Sequence, residues 1–391
     1  MENFQYYAPT KVVFGKGTEN KAGQLVKEQN CRKVLIHYGS GSVKRSGLLD
    51  RIFASLDEEG ISYISLGGVV PNPRLSLVYE GIDLCRREGV DFILAVGGGS
   101  VIDSAKAIGY GVENEGDVWD FYERKRQACG CLPIGVVLTI AAAGSEMSDS
   151  SVITNENGWL KRGYNSSYCR PKFAVMNPEL TMTLPKYQTA SGCVDIMMHT
   201  MERYFNHCDN MELLACHCCK DLRLLQGWRL MDEPQCYKAR AEVMWAGSLS
   251  HNGLMACGND GGDWACHQLE HELGGMFDVA HGAGLAAVWG SWARYVCDAL
   301  PDRFEQFAVN VMGVENGDDK NAVIQKGIEA MENFFRQIEM PTDLGGLNIE
   351  VSEDQMKELA LKCSHFGKRT IGCVKKLNQE DIYRIYQKAA D

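Results

Sequence analysis

Proline is scarce, at 10 of 391 residues, and no stretch reaches the roughly 18 consecutive apolar residues that a membrane span needs. A transmembrane protein is therefore not expected. The opening MENFQYYAPTKVVFG has no basic segment leading into an apolar one, so no secretory signal is read there. Basic residues are outnumbered, with 40 Lys and Arg against 51 Asp and Glu, a net charge of −11. Nucleic-acid binding, which wants a basic face, is disfavoured, and solubility is favoured. Internal repeats and low-complexity segments are missing too. Cysteine is not scarce, at 16, but Cys129-x-Cys131 and Cys216-x-Cys218-Cys219 match no zinc-ribbon spacing. A chain long enough to bury a large core, without a secretory signal, points to free thiols in a reducing cytoplasm.

What is present divides the chain in two. Up to about residue 185, short apolar runs alternate with amphipathic ones. Lys33–Tyr38, Ile61–Leu66, Phe92–Val96 and Leu132–Leu138 read as strands; Leu48–Glu59 and Ser76–Glu88 read as helices, with Ser76 as N-cap. That alternation predicts an α/β Rossmann-like domain, a parallel sheet flanked by helices. Beyond the Thr183-Leu184-Pro185 turn the strand signals stop. Helical spacing runs through Gln188–Phe205, Met211–Met231, Lys238–Asn252, Trp264–Met276, Gly284–Tyr295 and Lys320–Ile338. The expected organisation is residues 1–185 as a dinucleotide-binding α/β domain and 186–391 as an all-α metal-binding and catalytic domain.

The first half lacks the dinucleotide fingerprint of three spread glycines. It has instead Gly97-Gly98-Gly99-Ser100-Val101-Ile102-Asp103 between a strand and a helix start. Such a turn lets backbone approach a phosphate at a helix N-terminus, and it is equally an ordinary tight turn. An acid to bind a ribose 2′-hydroxyl is missing after the Lys33–Tyr38 strand, which runs into Gly39-Ser40-Gly41-Ser42 and then Lys44 and Arg45. Hydroxyls and two cations there favour a 2′-phosphate, hence NADP(H), with NAD(H) as the alternative.

In the second half, Asp195 and His199 are four apart, as are His267 and His271, and His281 follows in the turn Val279-Ala280-His281-Gly282. Residues four apart project from one helix face. Among only nine histidines, a carboxylate and four imidazoles so spaced make a candidate ligand set for a divalent ion, with solvated or core histidines as the plainer reading. Beside a nucleotide site they suggest metal-assisted hydride transfer.

The chain resembles the iron-containing (group III) alcohol dehydrogenases, in particular their NADPH-dependent butanol dehydrogenase and aldehyde reductase branch. The resemblance is carried in order by Val69-Val70-Pro71-Asn72-Pro73, Gly97-Gly98-Gly99-Ser100-x-x-Asp103-x-Ala105-Lys106 and Gly144-Ser145-Glu146-Met147. It continues through Thr183-Leu184-Pro185, Thr189-Ala190-Ser191-Gly192-x-x-Asp195-x-x-x-His199, Gly262-Asp263-Trp264-Ala265-x-His267-x-x-x-His271-Glu272-Leu273 and His281-Gly282-Ala283-Gly284. It implies Asp195, His199, His267 and His281 as ligands to Fe(II) or Zn(II), with His271 beside the substrate as a proton-handling residue. It implies cofactor contacts at Asn72, Gly98, Gly99, Ser100, Thr139 and Lys161. Gly39, Ser40, Ser42, Gly97 and Asp103 complete the expected cofactor set. The implied reaction interconverts primary alcohols and aldehydes of butanol type, in a cytoplasmic homodimer.

Two departures stand out. Ala141 and Ala143 stand where relatives usually carry Pro and Thr, which removes a hydroxyl near the cofactor phosphates and about 0.5–1.5 kcal/mol of hydrogen bonding. Asn177 stands where relatives usually carry Asp. The rival readings are an NAD-dependent glycerol dehydrogenase-like enzyme, a dehydroquinate synthase-like lyase, and a non-catalytic nucleotide or metal sensor. The lyase would want cations around its substrate, and the segments flanking the metal candidates are poor in Lys and Arg. Trp159, Trp264, Phe277, Met197 and Met198 are read as pocket lining or as core.

Overall fold

A computed structural model describes residues 3–208, 227–259 and 261–391. Most of the Met211–Met231 expectation lies outside the described residues, apart from a short helix at Gly227–Asp232. The fold divides into two compact units, Tyr7–Leu184 and Pro185–Asp391 together with Met1–Tyr6.

The first unit is built on six parallel strands: β1 (Lys11–Phe14), β2 (Lys33–Gly39), β3 (Ser62–Val69), β4 (Phe92–Gly97), β5 (Ile134–Leu138) and β8 (Phe173–Met176). Their order across the sheet is β1-β8-β5-β4-β2-β3. A separate antiparallel hairpin pairs β6 (Ser150–Asn155) with β7 (Leu160–Asn165). β2 and β4 are near-continuous apolar runs because both faces of the sheet are covered. On one face Val34, Ile36, Phe92, Leu94, Val96, Val137 and Val175 meet Leu25 and Val26 of α1 (Ala22–Lys27) and, beyond the one-turn α2 (Ser42–Arg45), Leu48, Leu49, Ile52 and Leu56 of α3 (Leu48–Glu58). Each such side chain contributes about 1.5–3 kcal/mol relative to exposure. On the other face lie α4 (Leu75–Glu88) and α5 (Gly99–Glu113), packed so closely that a Cβ at Gly81 would drive into Ile108.

β2 leads to its neighbour β3 on one side, while β4 lies on the other side of β2. The strand order thus reverses between β2 and β4, and the carboxyl ends at such a switch point flank the crevice where open α/β sheets take ligands.

Several expectations are corrected. Arg74, not Ser76, is the N-cap of α4, in extended backbone and bridged to Thr154; the Ser76 N–H and hydroxyl both donate to Glu156. β3 runs on to Val69. β1 and β8, four residues each, are too short to give a periodic signal, and the hairpin strands Ser150–Asn155 and Leu160–Asn165 are too polar to read as apolar runs. Asn177 after β8 has a clear role: its amide donates to buried Glu19 at 2.9 Å, and its oxygen caps the 3-10 turn Pro178–Thr181 through the Glu179 N–H. An Asp there would face Glu19 as a second buried acid.

The second unit is helical among the described residues, apart from an isolated bridge between Ile371 and Leu377. Its central helix, His281–Val296, is apolar nearly all round and buried almost throughout. It therefore begins at His281 rather than at Gly284, and His281 is its first residue rather than part of a turn. It packs on the Lys186–Tyr204 helix, closely enough that a Cβ at Gly282 would overlap the Ser191 carbonyl. The described cysteines are free thiols; Cys129 is exposed and Cys216-x-Cys218-Cys219 lies outside the described residues. No helix of the described residues is long and apolar enough to cross a membrane.

Candidate nucleotide edge and metal centre

At the sheet edge, three strand ends converge. Tyr38 of β2 lies beside Val96 of β4, so the Gly39–Ser42 turn and the Gly97–Ser100 turn are neighbours, and Thr139 closes on the same edge by donating its N–H to the Gly97 carbonyl at 3.0 Å. α5 begins at Gly99, which leaves the N–H groups of its first turn at this edge. Side chains are excluded by packing: a Cβ at Gly98 would lie 2.9 Å from Ile140, and one at Gly99 would lie 3.2 Å from the Ala143 methyl. Ala143 thus sits directly over the start of α5, where a threonine hydroxyl would add a donor.

Asp103 turns away from this edge. Its carboxylate accepts from the Ser145 hydroxyl at 2.6 Å and from the Val152 N–H at 3.0 Å. One turn further along α5, the fully buried Lys106 ammonium is surrounded by the Ser145, Ser148 and Ser150 carbonyls at 2.8–3.1 Å. The Asp-x-x-Lys end of the motif therefore fastens segment 145–152 to α5. At the Gly39–Ser42 turn, the Arg45 guanidinium reaches back to within 2.7 Å of a Cβ position at Gly41, and Lys44 lies 5.1 Å from the Tyr38 ring. Asn72 is buried with φ of 51°, in the left-handed region that Asn tolerates. Its segment is held to β6 by the Thr154 N–H donating to the Pro73 carbonyl at 2.8 Å, and the cross-strand partner of Thr154 is buried Lys161.

The second unit gathers the imidazoles. Asp195, His267 and His281 offer donor atoms that all lie within 4.8 Å of one another. The Gly282–Ser191 approach brings this about, since Asp195 is one turn beyond Ser191 and His281 is next to Gly282. Asp195 Oδ1 is 3.8 Å from His267 Nε2 and 3.6 Å from His281 Nε2. His199 adjoins this group, with its ring centroid 4.5 Å from that of His267 and its Nδ1 donating to the Asp195 carbonyl at 3.0 Å. His271, half-buried, stands outside the group with its ring 5.9 Å from that of His281. Met197 and Met198 are core, Trp159 is exposed beneath the Arg74 guanidinium, and Trp264 abuts the rings of His199 and His267.

Two neighbours were missed from sequence. Glu202 Oε1 accepts from both the backbone N–H and the Nδ1 of His267, each at 3.0 Å. Glu270, fully buried, pairs with His281 Nδ1. Spacing held a signal for both: Glu202 continues the Asp195/His199 face at i+7, and Glu270 is three residues from His267. A further imidazole, His251, lies 4.2 Å from the His199 ring and had no such signal.

The electrostatics suit a cation. Asp195 Oδ1 and His267 Nε2 are buried and find no hydrogen-bond partner among the described residues. Burial would raise the Asp195 carboxyl, but the imidazoles of His199, His281 and His267 crowded around it hold it well below the usual range. Burial lowers His199 to about 4, against the pull of Asp195, so its imidazole is neutral as a ligand must be. Burial also works against a charged His267, but the Asp195 and Glu202 carboxylates on its two sides outweigh it and raise this group to about 9. Asp263 is raised to about 7 by burial and the nearby Glu202 charge; its oxygens start the Ala265–Phe277 helix and accept from the Cys373 and Val374 N–H groups. A divalent ion among Asp195, His267 and His281 would satisfy both orphaned atoms, so the donor set fits a metal.

Comparison with known proteins agrees with this chemistry. Residues 9–178 match the family described as iron-containing alcohol dehydrogenase, and residues 189–390 match the C-terminal part of the Fe-containing alcohol dehydrogenase family. The chain is 38% identical to NADH-dependent butanol dehydrogenase A of Clostridium acetobutylicum, over the full length of both. It is 34% identical to the NADPH-dependent aldehyde reductase YqhD of Escherichia coli, also over the full length of both. The crystal structure of NADH-dependent butanol dehydrogenase A from Thermotoga maritima superposes with a TM-score of 0.96 at 39% identity, covering 100% of this chain and 99% of that one. The chain belongs to the iron-containing alcohol dehydrogenase family, whose members are NAD(P)-dependent alcohol oxidoreductases using a divalent metal.

Proposed function

We propose that this enzyme interconverts primary alcohols and aldehydes of about butanol size with NADP(H), using Fe(II) or Zn(II) held by Asp195, His199, His267 and His281. The observation that carries this is the buried Asp195–His267–His281 group with its two orphaned atoms aimed at one another. When bound, a divalent metal supplies Lewis-acid polarisation of the substrate oxygen. Asp195 contributes the one anionic ligand, and His199, His267 and His281 contribute neutral nitrogens. His271, near His281 but outside the group, is the candidate proton carrier between substrate and solvent. On the other unit, the Gly97–Ser100 turn and the first N–H groups of α5 would receive the pyrophosphate. Asn72, Thr139 and Lys161 would contact the cofactor, and Asp103 would act by holding segment 145–152.

The preference for NADPH is supported by the absence of an acid in Gly39–Ser42 and by Lys44 and Arg45 beside it. The second reading, NADH, is favoured by the name of the butanol dehydrogenase A relatives at 38–39% identity. Both are tested on one preparation. Protein loaded separately with Fe(II) and Zn(II) is assayed on a panel of short and medium aldehydes with each cofactor. Aldehyde reduction with kcat/KM at least about tenfold higher for NADPH (about 1.4 kcal/mol) is expected. The reverse ratio would assign NADH, and metal-loaded protein that binds cofactor but turns over no aldehyde would sink the enzymatic reading. His271→Ala should lower turnover with metal content intact. The same reading expects a homodimer, checked by light scattering on the eluting protein.

A further inference from the structure

We propose that Glu202 and Glu270 are positioning residues that fix the tautomer and aim of His267 and His281, so that both Nε2 atoms face Asp195. This rests on the assignment of Asp195, His267 and His281 as metal ligands made above.

The two carboxylates act in the same sense from different places. Glu202 comes from the Lys186–Tyr204 helix, with its side chain 1% exposed. It takes two N–H groups of one residue on one oxygen, the backbone N–H and the Nδ1–H of His267. His267 is the third residue of the Ala265–Phe277 helix, so its backbone N–H has no partner within that helix. Glu202 therefore caps that helix and clamps the imidazole together, leaving ring rotation no freedom. An ionised carboxylate only accepts, so Nδ1 carries a proton toward Glu202, and Nε2, 3.8 Å from Asp195 Oδ1, is the nitrogen left for a metal to take in exchange for its proton.

Glu270 repeats this one turn along the same helix. Its buried carboxylate meets Nδ1 of His281, the first residue of the next helix, and leaves His281 Nε2 3.6 Å from the same Asp195 oxygen. The path of the Glu270 side chain is kept open by Gly284, where a Cβ would lie 2.8 Å from Glu270 Cγ. Burying two carboxylates is costly without hydrogen-bonded partners. Both are spent on the ring nitrogen that faces away from Asp195, the arrangement by which carboxylates orient metal-binding imidazoles. His199 is held differently, with its Nδ1 3.0 Å from the Asp195 carbonyl and 3.2 Å from Asp195 Oδ1 in its own helix.

The test uses the full chain, with Co(II) and Zn(II) affinity measured by chelator competition and the Co(II) absorption spectrum recorded. The variants are Glu202→Leu, Glu202→Gln, Glu270→Leu and Glu270→Gln, with Asp195→Ala as reference. Each leucine variant should bind about 10- to 100-fold more weakly, with an altered Co(II) spectrum. Each glutamine variant, whose amide oxygen still accepts from Nδ1–H, should recover most of the affinity and the wild-type spectrum. Melting of the metal-free proteins separates these effects from loss of fold, and if Glu202→Leu does not fold, the Glu270 pair decides. A folded leucine variant with wild-type affinity and spectrum would overturn the proposal, as would glutamine variants as weak as leucine ones. Wild-type affinity in Asp195→Ala would overturn the ligand assignment itself, and with it this inference.

Discussion

In the Gly39–Ser42 and Gly97–Ser100 turns at the carboxyl ends of β2 and β4, the groups offered are backbone N–H donors, and the side chains are hydrogen atoms or short hydroxyls. Around Asp195 they are side-chain atoms brought from three helices and held by buried carboxylates. The first kind of site is specified by what must be missing. A Cβ at Gly98 meets Ile140, whatever the rest of the side chain is. The second kind is specified by what must be present, down to which ring nitrogen bears a proton. A backbone site should therefore degrade gradually with added bulk, and a side-chain site should fail at a single atom.

The sharpest break is Asp195→Ala. It removes the only carboxylate among the three grouped ligands, and we expect loss of stoichiometric metal and a fall in turnover of about a thousandfold or more, some 4 kcal/mol. Metal analysis beside steady-state rates checks it, and retained metal would refute the ligand set. Next is a pH effect confined to the sheet unit. His37 is wholly buried, its Nδ1–H donating to the Leu66 carbonyl and its Nε2 accepting from the Ser104 hydroxyl, both at 2.9 Å. Burial lowers it to about 4, although the Leu66 hydrogen bond pulls the other way.

The unfolded chain titrates His37 near 6.5. Below that pH the unfolded state takes up a proton that the folded state refuses, so stability falls from pH 6.5 toward 4. The loss should approach roughly 3 kcal/mol. Hydrogen exchange of β2 amides at pH 7 and pH 5 reads this out, and His37→Gln should flatten the slope. Gly98→Val comes third. Overpacking against Ile140 at a cost of about 1–3 kcal/mol should weaken cofactor binding about 5- to 150-fold and leave metal content unchanged. Loss of metal in that variant would erase the contrast between the two sites. The smallest effect is a gain. Ala143→Thr restores a hydroxyl over the start of α5 and should tighten cofactor binding about 2- to 12-fold, by titration of intrinsic fluorescence.

Sequence periodicity reached the sheet strands that are apolar on both faces, the helices with a clear stripe, and the glycine turns at strand ends. It did not reach β1 and β8, four residues each, nor the start of the His281–Val296 helix, where His281-Gly282-Ala283-Gly284 looks like a turn but is close-packed helix. At the metal centre, Asp195 and His199 were legible because both sit on one helix face. Glu202 and Glu270 were not read, because their partners lie on other helices and helix packing decides who meets whom. Asp103 was legible as part of a motif, while its work, gripping Ser145 and Val152, follows only from where the chain goes 42 and 49 residues later.

The hydrogen bond between Asn177 and Glu19 bears on how this chain can be recombined with its relatives. The two residues are 158 positions apart and form one unit of inheritance. A chimera that keeps Glu19 but takes its later portion from a parent with Asp at position 177 would set two buried carboxylates against each other. Crossovers between these positions should therefore yield unstable progeny unless position 19 is exchanged as well.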